Sequence, residues 1–178
     1  MTIDNSTPPD RKSVEEAHPH LKEFFGFLPD LNKESDRGCV LIACSFLDEL
    51  MRRIVLAFLI DRDDTGRLVD GFNAPLGTLS TRVAAAYGLG LISEREFKEC
   101  ETLRRIRNRF AHDVHASFNS QDIRDLAHNL TMSAKDYDAV LVDARGRYTT
   151  AAVALILNLT NRPVYVSRKR LQPEHWPI

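Results

Sequence analysis

Residues 36–60 read DRGCVLIACSFLDELMRRIVLAFLI, and the fold follows from this stretch. Val40, Leu41, Cys44, Leu47, Met51, Ile54, Val55 and Phe58 recur at three- and four-residue steps, the spacing of one face of an α-helix. Ile42, Phe46, Leu50, Leu56 and Leu59 widen that stripe until little polar surface remains. The exceptions, Asp48 with Arg52 and Glu49 with Arg53, are opposite charges four apart and predict one exposed strip. A helix so apolar predicts neighbours on most sides, at the centre of the fold. Ser35 or Asp36 can cap its start.

Upstream, residues 1–12 (MTIDNSTPPDRK) are polar and predicted to be disordered. A short amphipathic segment follows from Val14 to Leu28, broken at His18-Pro19-His20 and closed by Pro29. Downstream, Asp61 to Gly66 is a charged turn, and a second helix is expected from Thr78 to Tyr87. Ser93, with Glu94 and Glu96 behind it, starts a third helix running to about Ala111, with acids at the positive end of its dipole and arginines at the negative end. Ser120 caps a fourth, from Gln121 to about Met132, and Tyr148 to Leu159 is a last apolar helix. Between these two, Asp136 to Arg147 reads as a loop or as a short strand at Ala139 to Val142. Period-two alternation is nearly absent. The prediction is an all-α helical bundle: one helical domain at 13–161, a disordered segment at 1–12 and an extended C-terminal tail at 162–178.

With 178 residues, 43% of them hydrophobic, the chain can bury one sizeable core. A net charge of -1 creates no global basic field, so direct DNA binding is expected to be weak or absent. Cys39, Cys44 and Cys100 are odd in number, lie in apolar patterns and form no CxxC pair, which predicts buried thiols in a reducing compartment. The first residues lack the apolar core of a signal peptide, and the apolar runs at 54–60 and 151–159 are too short to cross a bilayer. The expectation is a cytoplasmic protein with no membrane contact. His18 and His20 are expected on an exposed turn, and neither a metal nor a cofactor is expected.

The third helix ends in Leu103-Arg104-Arg105-Ile106-Arg107-Asn108-Arg109-Phe110-Ala111-His112. At about 100° per residue, Phe97, Cys100, Leu103, Ile106 and Phe110 fall within one half of the helical wheel. Arg107 lies near the middle of that apolar arc, with Arg105 and Arg109 well outside it. A guanidinium there needs a carboxylate, a phosphate or a water-filled cleft. It either snorkels or pairs with an acid, or else Arg107, Asn108 and His112 point together into a cleft that handles a phosphate. Asp113 could orient the His112 imidazole. Any nucleic-acid contact would be local, at Arg104, Arg105 and Arg109. A helix-turn-helix over Arg82 to Leu103 is disfavoured, because its second helix would set Glu94, Glu96, Glu99 and Glu101 against only Arg95 and Lys98.

Three ordered blocks, over about residues 36–132, resemble the mannitol operon repressor family. They are Phe46 to Arg52 (FLDELMR), Pro75 to Ser80 (PLGTLS) with Ala86 to Ile92 (AYGLGLI), and Ile106 to His112 (IRNRFAH). That family is in turn similar to helical HEPN domains. The first resemblance implies a bacterial negative regulator of transcription in sugar-alcohol uptake, acting through a protein partner rather than a helix-turn-helix. The second implies a metal-independent endoribonuclease as the alternative, a homodimer whose paired motifs share one cleft on RNA. Carried onto this chain, His112 would act on the ribose 2′-hydroxyl or the leaving group, Arg107 would stabilise the phosphorane charge and Asn108 would position the phosphate.

Overall fold

Ser35 accepts a hydrogen bond from the Gly38 amide and starts α2, Asp36–Phe58, in which nine side chains are buried. Around it stand α1 (Lys22–Lys33), α3 (Leu79–Gly88), α4 (Glu94–His112), α5 (Gln121–His128), α6 (Ala144–Thr160) and α7 (Arg162–Ser167). The computed structural model describes residues 16–177, so the expected disorder of 1–12 lies outside the described residues. α2 packs against α1, α3, α4, α6 and α7, the central placement that its apolar circumference predicts. α5 closes the far side of α4 and α6. The architecture is all-α. Tyr137 and Val140 exchange a single isolated bridge, and no strand occurs among the described residues. The segment before α6 is therefore the loop of the two readings.

Local chemistry explains where elements differ from expectation. Pro29 lies inside α1 instead of closing it. Phe24, Phe27 and Leu31 are buried on both sides of the proline, and that packing outweighs the roughly 3 kcal/mol a mid-helix proline costs. α5 ends at His128, short of Met132, because the Thr131 and Met132 amides donate to the Glu99 carboxylate instead of continuing the helix. α6 begins earlier than Tyr148, since Asp143 caps it by accepting from the Gly146 amide. The tail is not extended from 162 onward: Arg162–Ser167 is a helix, with a proline in its first turn where a missing N–H does no harm. Val166 is buried, and the Leu171 amide and Arg170 guanidinium donate to the Phe58 and Ala57 carbonyls at the end of α2. In the tail, residues 170–177 have no regular structure.

The α3–α4 connection is a Schellman turn. Leu91 N–H reaches back to the Ala86 carbonyl, Gly90 N–H to that of Tyr87, and Gly90 takes φ +69°. Ser93 and Glu96 then form a reciprocal capping box at the start of α4. Glu96 also receives Arg162 at 2.6 Å, tying α7 to the bundle. Burial alone would raise the Glu96 carboxyl, but the Arg162 guanidinium and the Ser93 donors overcome it and hold the group below its ordinary 4.5. The folded chain thus binds fewer protons at Glu96 than the unfolded one. Its contribution to stability is complete above about pH 4.5 and is lost as pH falls through the folded value. Melting temperature against pH should show a steeper acid fall for the wild type than for Glu96→Gln; parallel curves would remove Glu96 as a source.

Candidate functional site

Arg37, in the first turn of α2, fixes the end of the arginine-rich helix. Its guanidinium donates to the carbonyls of Phe110, Asp113 and Val114, the last two at 2.8 and 3.0 Å. Carbonyls at and just beyond the end of α4 have no next helical turn to receive them, and a cation suits that end of the helix dipole. The last turns of α4 are therefore held rigidly against α2, with the arginines displayed on either side.

Two clefts flank this helix. The first, about 430 Å³, lies between α2, the start of α3 and α4, and is lined by Ser45, Asp48, Thr78, Ser80, Arg104, Arg107 and Asn108 among others. The second, about 460 Å³, opens on the adjoining face and is lined by Arg104, Arg105, Asn108, Arg109, His112, Asp113 and Leu126. Asn108 and Arg104 border both. The structure brings Arg107 and Asn108 together in one cleft and Asn108 and His112 together in the other; neither cleft holds all three. Arg107 and His112 are five helical steps apart, a turn of about 140° around the axis, which is why the two part.

Arg107 is exposed despite its position in the apolar arc. At its level the arc faces the first cleft rather than packed side chains, so of the three receivers a guanidinium needs there, the open cleft is present. Its Nη1 donates to Asn108 Oδ1 at 3.2 Å, and no carboxylate lies within ion-pair distance among the described residues. The other arginines differ. Arg104 pairs with Glu101 at 2.7 Å, Arg109 with Asp122 at 3.1 Å, and Arg105 stands exposed. Asp113 does not orient His112, because its carboxylate accepts the His115 amide at 2.8 Å in a local turn.

Cys44 borders the first cleft but is no nucleophile. Burial pushes its thiol up to about 11, against the smaller opposing effects of Tyr148 and the Arg107 charge, so the sulfur is protonated at neutral pH. Among the described residues, no group of histidines, cysteines and carboxylates could hold a metal ion, and no helix is long and apolar enough to cross a membrane.

Three acidic residues behave differently from the sequence reading. Asp48 pairs with Arg82 at 2.7 Å rather than with Arg52, whose partners are Asp70 and Glu49. Glu99 is 1% exposed and accepts from the Thr131 amide, the Thr131 hydroxyl and the Met132 amide. Glu96, too, is buried in internal bonds. A signal for Glu99 existed: it sits one turn before Leu103 and so shares the buried arc. Arg82 gave none, because its carboxylate partner Asp48 lies 34 residues away on α2 and its other acceptors are carbonyls of the irregular connection before α3.

Comparison with known proteins places this architecture. The profile of the family described as mannitol repressor matches residues 68–155. The mannitol operon repressors of Escherichia coli strains K12 and O6:H1 are each 34% identical over 83 residues, 43% of this chain and 42% of theirs. The matched stretch thus spans less than half the length of these curated relatives. A chain of the X-ray structure of the MtlR–HPr complex from Escherichia coli superposes over 80% of this chain and 97% of its own, with a TM-score of 0.58 and 25% identity. The sequence match lies on α3 to α6 and the fold likeness extends it across the bundle, so the chain is similar to the mannitol repressor family in both sequence and fold.

Proposed function

We propose that this chain is a negative regulator of sugar-alcohol uptake genes that works by holding a protein partner, HPr or a protein like it. The observation that carries this reading is the likeness, over nearly the whole of the other chain, to a mannitol repressor family structure solved with HPr. Electrostatics support a partner-based mode over a DNA-reading one. In the first turns of α4, Glu96 and Glu99 are turned inward, Arg95 is spent on Thr131 and Lys98 on Glu94. The start of α4, directly after the α3–α4 turn, therefore presents no basic face suited to a groove between phosphates.

The RNA-cleavage alternative needs a guanidinium and an imidazole at one phosphate. Within one chain Arg107 and His112 line separate clefts, so that reading would rest on a homodimer that joins them. The partner reading is tested by calorimetric titration of the purified full chain with HPr from the same organism. A saturable complex of defined stoichiometry at physiological salt is expected. Heats that remain at the level of dilution, for HPr in its phosphorylated and unphosphorylated forms alike, would overturn it.

A further inference from the structure

The first cleft has a chemistry of its own. Its acid, Asp48, is compensated by Arg82, and Arg104 shares its charge with Glu101. Arg107 alone brings an uncompensated positive charge to the cleft. Its bond to Asn108 Oδ1 also fixes the amide of that residue, leaving the Nδ2 hydrogens as donors. Ser45 and Ser80 add hydroxyls on the opposite walls, while that of Thr78 is engaged with Thr81 in the capping box of α3. Every polar group that faces the cleft without an ionic partner is thus a donor or a hydroxyl, and the volume of about 430 Å³ is that of a small-molecule site.

We infer that this cleft binds a small phosphate monoester, with Arg107 taking the phosphate and the Ser45 and Ser80 hydroxyls meeting a polar body. A monoester carries about -1.5 to -2 charge near neutral pH and offers three strong acceptor oxygens. Arg107 can engage two of them in a fork, and Asn108 and Arg104 stand beside it for the third. A carboxylate would use the fork alone and leave those donors unmet. The cleft is closed on three sides by α2, the start of α3 at Thr78–Ser80 and α4, which suits a compact ligand rather than a continuous nucleic-acid strand. The inference is independent of HPr binding, and either can fail alone.

Titration calorimetry on the full chain at constant ionic strength tests it, with glycerol 3-phosphate, inorganic phosphate, glycerol and a short single-stranded RNA as probes. Glycerol 3-phosphate should bind saturably and glycerol should not. Arg107→Ala should weaken the monoester by about tenfold or more, and Arg107→Lys should recover only part of that, because an ammonium cannot form the fork. Lys98→Ala, which removes the same charge from an exposed site on the same helix, should leave binding unchanged. Circular dichroism and melting confirm that each variant is folded. The inference is overturned by an absence of saturable monoester binding, by binding that survives Arg107→Ala, or by equal losses in Arg107→Ala and Lys98→Ala. Arg107-dependent binding of RNA or of inorganic phosphate without the monoester would overturn it as well.

Discussion

Leu47→Lys should leave the chain without a cooperative fold. Leu47 is 1% exposed in the middle of α2, the helix against which five others pack. A lysine there would either bury an unpaired ammonium or force α2 away from its neighbours. Burying such a charge costs several kcal/mol on top of the lost packing, out of a total stability of about 5–15 kcal/mol for a typical domain. Leu47→Met keeps the volume and polarity and should cost less than about 1.5 kcal/mol. Circular dichroism with thermal melting separates the two. A soluble Leu47→Lys protein with a cooperative melt near that of the wild type would contradict the central placement of α2.

That placement was readable because it rests on local repetition. Three- and four-residue steps in a 23-residue helix give many concordant observations, and capping residues such as Ser35 and Ser93 mark the ends independently. Where a single residue had to override a local rule, the sequence was silent. Pro29 reads as a stop because its ring removes a backbone donor, whereas the apolar anchors beyond it keep the helix going. Three prolines and the basic Arg168-Lys169-Arg170 gave the tail an extended character, yet Val166 found a place to bury. Both outcomes are tertiary packing prevailing over local propensity.

The site was legible in part for the same reason. Arg107 stands out on a helical wheel, and the wheel sets Asn108 and His112 progressively around the axis from it. The wheel does not say what faces Arg107. That depends on Thr78–Ser80 and on Ser45, brought up from other elements, and on the charge left there after Asp48 and Arg82 have found each other. Reading charges at four-residue spacing paired Asp48 with Arg52, whereas Asp70, from a loop, displaced it at 2.5 Å. An exposed helical pair contributes only about 0.3–0.5 kcal/mol, too little to hold its partners against a better-placed competitor.

Arg82→Leu should be the most damaging polar-to-apolar change in the bundle. The residue is only 7% exposed, and its guanidinium serves three acceptors: Asp48 Oδ1 at 2.7 Å, the Leu76 carbonyl at 2.9 Å and the Val69 carbonyl at 2.7 Å. Val69 and Leu76 lie in the long connection between α2 and α3, so Arg82 holds that connection, including the wall of the first cleft at Gly77 and Thr78, against the core. A leucine fills part of the space but leaves two carbonyls and a carboxylate unmet. Breaking one partner of such a buried network costs about 3–5 kcal/mol, or about 10 °C of melting temperature in a chain of this size. Arg82→Lys should recover little, because one ammonium cannot span three acceptors set around a planar fork. Asp48→Asn should be milder, since Asp48 is partly exposed and Arg82 keeps both carbonyls. Thermal melts of the three variants decide the matter. A loss for Asp48→Asn as large as that for Arg82→Leu would place the stability in the ion pair, whereas a clearly smaller loss places it in the carbonyls that Arg82 holds.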